Sequence, residues 1–272
     1  MFDISDNSIL QTLIFVLTEM DVVVKSLINT FSENIATGPI WETSKVLIEL
    51  MQTVALGLLT GYWLVGLVNE ITEIDWKHLS MWWYFKKFIQ LLLGKALIEK
   101  SVDICLAIYN LVGEILNLIG IKTSNFELFS TVNMDSLKKM VNDMGLIEKL
   151  VFKMDILIPQ IVILVVCGII IIIAEIRVIS IYLLIIISPV CFATVVNKGA
   201  SGVYPFIKEY VGVTAQAIIM LIVIVLYNAR VTGIINGEIT GFESLFKIAA
   251  HTVVLAIFIL SAQSIAKMLS GR

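Results

Sequence analysis

The chain is poor in the residues from which most catalytic sites are built. Its 272 residues include two histidines, His78 and His251, and three cysteines, Cys105, Cys167 and Cys191. The cysteines show no CxxC spacing, which argues against zinc and dithiol motifs, and they fall in apolar stretches where a thiol packs as a small hydrophobe. There is no GxxxxGK[ST] phosphate loop, no HExxH and no GxSxG, and no cysteine has a plausible histidine partner. These absences predict no enzyme, no metal site and no cofactor. Charge is scarce as well. Only 15% of residues are charged and the formal net charge is -3, whereas globular domains carry about a quarter charged residues. The Lys and Arg residues are scattered, so the strongly basic surface that direct, sequence-specific nucleic-acid binding requires is not expected. The first basic residue is Lys25, after Asp3 and Asp6, the reverse of the basic opening of a secretory signal.

Apolar sequence fills the space. Hydrophobic residues make up 58% of the chain and the mean hydropathy is +0.96, which defines a polytopic membrane protein. The dominant block is residues 156–197, where two charge-free runs, 156–174 and 178–197, are separated only by Glu175, Ile176 and Arg177. Each run is long enough to cross a hydrocarbon core of about 30 Å. One helix over both would exceed any ordinarily tilted span, so the length argument prefers a hairpin. Yet Glu175-Ile176-Arg177 has no turn-forming residue, and one long helix projecting beyond the membrane is the alternative. Ser188-Pro189 reads as the break that ends the second run. The connection 198–208, with Tyr204 and Pro205, reads as a turn and interfacial anchor. Further spans are expected at 50–69, 210–229 and 248–266. The first contains Gly57 and Gly61 in a GxxxG pattern that suits close helix packing. Gln216, Asn228, His251, Ser261 and Gln263 are the polar residues of the last two spans and are expected to hydrogen-bond between helices.

The remaining segments are mixed. Residues 8–31 carry apolar side chains at steps of three and four with Glu19, Asp21 and Lys25 interposed, the pattern of an amphipathic helix. A similar stripe over 137–151 reads as a second surface or docking helix. Residues 75–87 crowd tryptophans and lysines together, which suits the headgroup layer. Between 88 and 116 the apolar background carries Lys95, Glu99, Asp103, Asn110 and Glu114 at steps of four, four, seven and four, one narrow polar stripe on a helix. Three physical readings fit it: an interfacial helix, a span whose stripe is buried by pairing, or a span lining an aqueous path. The expected architecture is therefore all-α, a transmembrane helical bundle of five or six spans with interfacial amphipathic helices. Its regions are 1–43 (amphipathic N-terminal helix), 44–118 (first membrane region), 119–155 (polar loop with amphipathic helix) and 156–272 (second membrane region). With six spans, the side holding residues 119–155 and 198–208 collects more lysines, which mildly marks it as cytoplasmic.

Arg177 followed by an apolar run, then Ser188-Pro189-Val190-Cys191-Phe192-Ala193, a short turn with Tyr204-Pro205-Phe206-Ile207-Lys208, and a further long span resembles the TrbL-like polytopic inner-membrane subunits of type IV secretion and conjugative transfer systems. The resemblance covers residues 156–266. It implies a multi-pass subunit of the bacterial cytoplasmic membrane, assembled with other copies of itself into a ring-like homo-oligomer, in contact with lipid, secretion ATPases and other secretion subunits. Such a subunit forms or scaffolds a channel for DNA or protein. The competing class is a transporter or permease for a small solute, which would ordinarily show an internal repeat with paired broken helices; no second copy of the Ser188-Pro189 pattern occurs in the first half.

Overall fold

A computed structural model describes residues 35–73, 81–123, 145–236 and 242–269, together with residue 142 and scattered helical positions between 11 and 30. Most of the amphipathic stretch 8–31, and residues 137–141, 143 and 144 of the expected docking helix, lie outside the described residues. Everything regular in the described chain is helical: α1 (Gly38–Glu73), α2 (Met81–Thr123), α3 (Leu146–Ala193), α4 (Val195–Lys198), α5 (Ala200–Asn236) and α6 (Phe242–Leu269). Five of these contain stretches long and apolar enough to cross a membrane: Gly38–Thr72, Met81–Ile119, Leu146–Ala193, Ala200–Tyr227 and Ala249–Ala266.

The hairpin preferred for residues 156–197 is not formed. α3 is one helix of 48 residues, about 72 Å long at 1.5 Å per residue. The bilayer-length argument is overridden by the local sequence: the Glu175-Ile176-Arg177 junction contains no glycine, proline or asparagine, so nothing there stops helix propagation. The break read at Ser188-Pro189 is displaced as well. Pro189 lies inside α3, and the Ser188 hydroxyl donates to the Ile185 carbonyl 2.8 Å away within the same helix. The chain reverses several residues later. Gly199, at φ 61°, supplies the left-handed conformation, with its N–H donating to the Val195 carbonyl at 2.7 Å. Tyr204 and Pro205 then lie within α5 rather than in a loop. The charge-based orientation rests on six spans and does not carry over to five candidate spans.

Two compact units are built from these helices. The first comprises residues 1–32, 114–176 and 216–265. Here α3 buries Ile156, Ile163, Val166, Cys167, Ile170 and Ala174 along one face, and α5 buries Met220, Leu221, Ile224 and Tyr227. The Tyr227 and Thr252 hydroxyls share a buried hydrogen bond of 2.7 Å between α5 and α6. The expected inter-helix bonds do not form at His251 and Ser261, whose side chains bond the Lys247 and Ile257 carbonyls one turn back on their own helix, and Gln216 Oε1 finds no partner. A polar side chain that satisfies itself on its own helix offers no pairing across the bundle. The side chains of Asn228 and Gln263 lie outside the described residues.

The second unit comprises residues 33–113, 177–215 and 266–272. Its core joins Trp41, Ile48, Ala55 and Leu59 of α1, Ile98, Cys105 and Tyr109 of α2, Ile181, Tyr182, Ile185 and Phe192 of α3, and Phe206 and Tyr210 of α5. Pro39 enters α1 in its first turn, where a missing N–H leaves no helical bond unmade. The Tyr182 hydroxyl donates to the Ile35 carbonyl at 3.0 Å, and the Tyr210 hydroxyl to the Cys105 carbonyl at 2.9 Å. Phe192 meets Phe206 edge-on with centroids 6.0 Å apart, and Phe206 stacks on Tyr210 at 6.2 Å.

Gly94 marks the tightest approach in this unit. A Cβ there would stand 2.5 Å from Val196 Cγ2 and 2.6 Å from Leu59 Cδ1, so α1, α2 and α4 meet where α2 has no side chain. Beside it the Gln90 amide donates to the Val196 carbonyl at 2.9 Å. Gly94→Leu is expected to overpack this junction and lower stability by about 1–3 kcal/mol. Gly57→Leu is expected to leave it nearly unchanged, because nothing lies within 4 Å of a Cβ at Gly57. Thermal unfolding of the detergent-solubilised variants measures the difference.

Candidate functional site

α2 divides its residues sharply between two faces. Lys87, Gly94, Ile98, Ser101, Cys105, Tyr109, Val112 and Leu116 recur at steps of seven, four and three and are all buried. Lys95, Glu99, Asp103, Asn110 and Glu114 lie on the opposite side and are all exposed. The sequence-derived stripe is thus one open face of a continuous helix. It is laced by two ion pairs, Lys95 with Glu99 at 3.7 Å and Lys100 with Asp103 at 2.9 Å, each one turn apart on α2. Lys100 belongs with the stripe, and its i,i+3 spacing to Asp103 is the sequence signal for it. Among the described residues no other helix supplies an ion-pair partner to these charges.

Two internal rulers give the depth of this stripe. The charge-free run 50–69 of α1 is bracketed by Glu49 and Glu70. Leu59 packs at Gly94, and the Trp63 indole N–H donates to the Lys87 carbonyl at 3.0 Å, so α1 and α2 run antiparallel in register. Stepping 1.5 Å per residue in each direction places residues 84–103 of α2, to within about one turn, beside 50–69. The second ruler is the run 178–197. Val196, near its end, touches Gly94, while Tyr182 reaches Ile35 below the start of α1. This run therefore lies beside α2 from residue 94 to about residue 112. Lys95, Glu99, Lys100 and Asp103 fall inside both windows. These four charges therefore lie alongside the charge-free runs of α1 and α3, with Asp103 level with the end of 50–69 at Leu50.

A second polar cluster closes the other end of the α1–α2 pair. Lys87 is buried to 9% exposure and forms an ion pair with Glu70. The Trp83 indole also donates to Glu70, at 3.2 Å, and its ring lies 5.9 Å from the lysine nitrogen. The surrounding outward positions are Met81, Trp82, Tyr84, Phe85 and Phe88, each about half exposed or more. This arrangement inverts a water-facing helix end, with the charge inside and the rings outside, and it suits an interfacial or apolar medium. Removing one partner strands a buried charge. Glu70→Gln is therefore expected to destabilise the α1–α2 pair by about 1–3 kcal/mol, below the fully buried range because Glu70 is partly exposed. Glu70→Leu combined with Lys87→Leu should recover most of that loss, read as thermal stability in detergent.

The other sequence-derived positions are dispersed. Gly57 and Gly61 are exposed on α1 with open space before them. Glu175 is exposed and Arg177 half-buried within α3, the latter with its Nε lacking a hydrogen-bond partner. Tyr204 is exposed near the start of α5, with Lys208 Nζ 5.9 Å from its ring. Among the described residues no three His, Cys, Asp or Glu side chains converge as metal ligands would.

Five long apolar helices that are candidate membrane spans define a multi-pass membrane protein. Residues 50–189, just over half of the chain, match the model of the family described as TrbL/VirB6 plasmid conjugal transfer like protein, and the chain belongs to that family. This is a family of secretion-system membrane subunits without known catalysis. The matched segment contains α2, the whole stripe and the Leu59 and Gly94 sides of the α1–α2 contact. No curated protein and no solved structure matches the chain.

Proposed function

We propose that this protein is a channel-forming subunit of a type IV secretion, or conjugative transfer, apparatus in the bacterial cytoplasmic membrane. In this reading copies of the chain assemble in a ring with their α2 stripes facing a shared aqueous path. The observation that carries it is the register of Lys95, Glu99 and Asp103 alongside the charge-free run 50–69, combined with their exposure. A charged side chain at the bilayer centre costs at least ~2.5 kcal/mol on insertion scales unless it is wetted or paired. The pairs within the stripe are open to the surroundings, so lipid is an unfavourable neighbour and water or a like stripe from another copy is a favourable one. The outward face of α1, with Val54, Leu58, Leu64 and Val65 exposed, suits lipid. Secretion ATPases and other subunits of the apparatus are the partners this role requires.

The test is thiol accessibility in the assembled membrane protein. With Cys105, Cys167 and Cys191 replaced, single cysteines at 95, 99 and 103 should react with a membrane-impermeant maleimide, while cysteines at 54 and 58, on α1 at comparable depth, should not. Equal protection at all five positions would remove the aqueous-path reading. Native mass measurement in mild detergent should give a discrete oligomer; a stable monomer would oppose the ring.

A further inference from the structure

We propose that Phe85, Phe88 and Leu92 form an apolar gate that closes this path, an inference that rests on the aqueous-path reading above. The line of the stripe does not begin at Lys95. Following α2 toward its start from Glu99, steps of four, three, four, three and four reach Lys95, Leu92, Phe88, Phe85 and Met81. These positions stay on one side of a straight helix, because alternating steps of three and four advance almost whole turns. All are exposed: Leu92 by 50%, Phe88 by 54% and Phe85 by 51%, opposite the buried line through Lys87, Gly94 and Ile98. A helix that turns Lys95 and Glu99 toward a common axis therefore turns Leu92 and Phe88 toward that axis as well. The face is polar over residues 95–114 and apolar over 81–92.

Where the run 50–69 crosses the hydrocarbon the switch in polarity lies near mid-depth, and where 178–197 crosses it lies at the mouth of the path, because Val196 stands near that run's end. Gly94, one residue before Lys95, packs on Leu59, which is at the centre of the charge-free run 50–69. The path is thus wettable from the Asp103 end as far as Lys95, and beyond that point its wall is leucine and phenylalanine. A narrow ring of such side chains empties of water and blocks ions without a moving plug. The one charge that could wet this segment from the inner side of the helix, Lys87, points away from the face and is held by Glu70. Lys86 is exposed but stands well to one side of the line. A polar cargo must force this collar apart, so opening is a matter of spreading neighbouring α2 helices rather than of titrating a side chain.

The experiment uses the full chain reconstituted in vesicles, with the native cysteines replaced, Glu99→Cys as the reporter, and impermeant maleimide added to one side at a time. With the collar intact the reporter should react from one side only, and Leu92→Ser with Phe88→Ser should make it reactive from both. The same double variant should raise the leak of potassium from loaded vesicles severalfold. Leu92→Met with Phe88→Leu, which keeps the collar apolar, should leave both readouts at the level of the intact collar. Leu64→Ser with Val65→Ser on the lipid-directed face of α1 controls for general damage to the bundle, and native mass shows whether each variant still assembles. Labelling of the reporter from both sides while the collar is intact overturns the gate. So does an assembled serine variant with one-sided labelling and no added leak. If the reporter is unreactive from either side, the aqueous path itself fails, which is a different result.

Discussion

Replacing Lys95, Glu99 and Asp103 together with leucine is expected to abolish transfer while leaving the protein in the membrane. The substitutions make α2 more apolar, so insertion is favoured. The buried face of α2 is untouched, so Ile98, Cys105 and Tyr109 keep their packing. What disappears, in the proposed function, is the wettable wall of the path. Moving a charged group through a dry path of that length adds several kcal/mol at least, and each ~1.4 kcal/mol is about tenfold in rate. Transfer frequency, measured by complementing a strain that carries the rest of the apparatus, should fall by at least about a hundredfold. Swapping the signs, with Lys95→Glu and Glu99→Lys, preserves wettability and the ion pair and should retain most of the activity. If the leucine variant transfers normally at normal abundance, the stripe does not line the route.

The second large effect is a distance. Spin labels at Ile158 and Ile187, both exposed on α3, are separated by 29 positions, which a continuous helix converts to about 44 Å. A hairpin turning at Glu175–Arg177 would bring the same two backbone sites to about 15 Å, from about 10 Å between packed axes and about 10 Å of offset along them. Of the two prolines of α3, Pro159 lies one residue inside the labelled interval and Pro189 two residues beyond it, so a bend at either changes this separation little. A narrow distribution near the longer value is expected in detergent and in lipid alike.

That distance bears on how far the fold is legible in the amino-acid sequence. Helical class follows from apolar run lengths alone, and the α2 stripe follows from steps of three and four, because both are local properties. α3 is misread when a rule about bilayer thickness outweighs three residues, Glu175, Ile176 and Arg177, that contain no stop signal. Gly94 attracts no attention in the sequence, since its role requires Val196, a hundred residues away, to come within reach. Gly57 and Gly61 attract it through a pattern common in apolar helices, and they face open space. Lys86 and Lys87 look alike in sequence, yet one is exposed and the other turns inward to Glu70. Register between helices, invisible in a single sequence, decides each of these.

The Glu70–Lys87 pair also constrains how the protein is made. The two charges sit on successive helices, α1 and α2, and each neutralises the other only when both helices are side by side. A ribosome releasing α1 alone into lipid would leave Glu70 waiting at the membrane edge, and α2 arriving alone would carry Lys87 on the face meant for protein. Insertion as a pair avoids both costs. The insertion machinery is thus expected to retain α1 until α2 has emerged, so that the first two helices enter the bilayer as one hairpin. A nascent chain truncated before Lys87 should remain crosslinkable to that machinery longer than one extended beyond it.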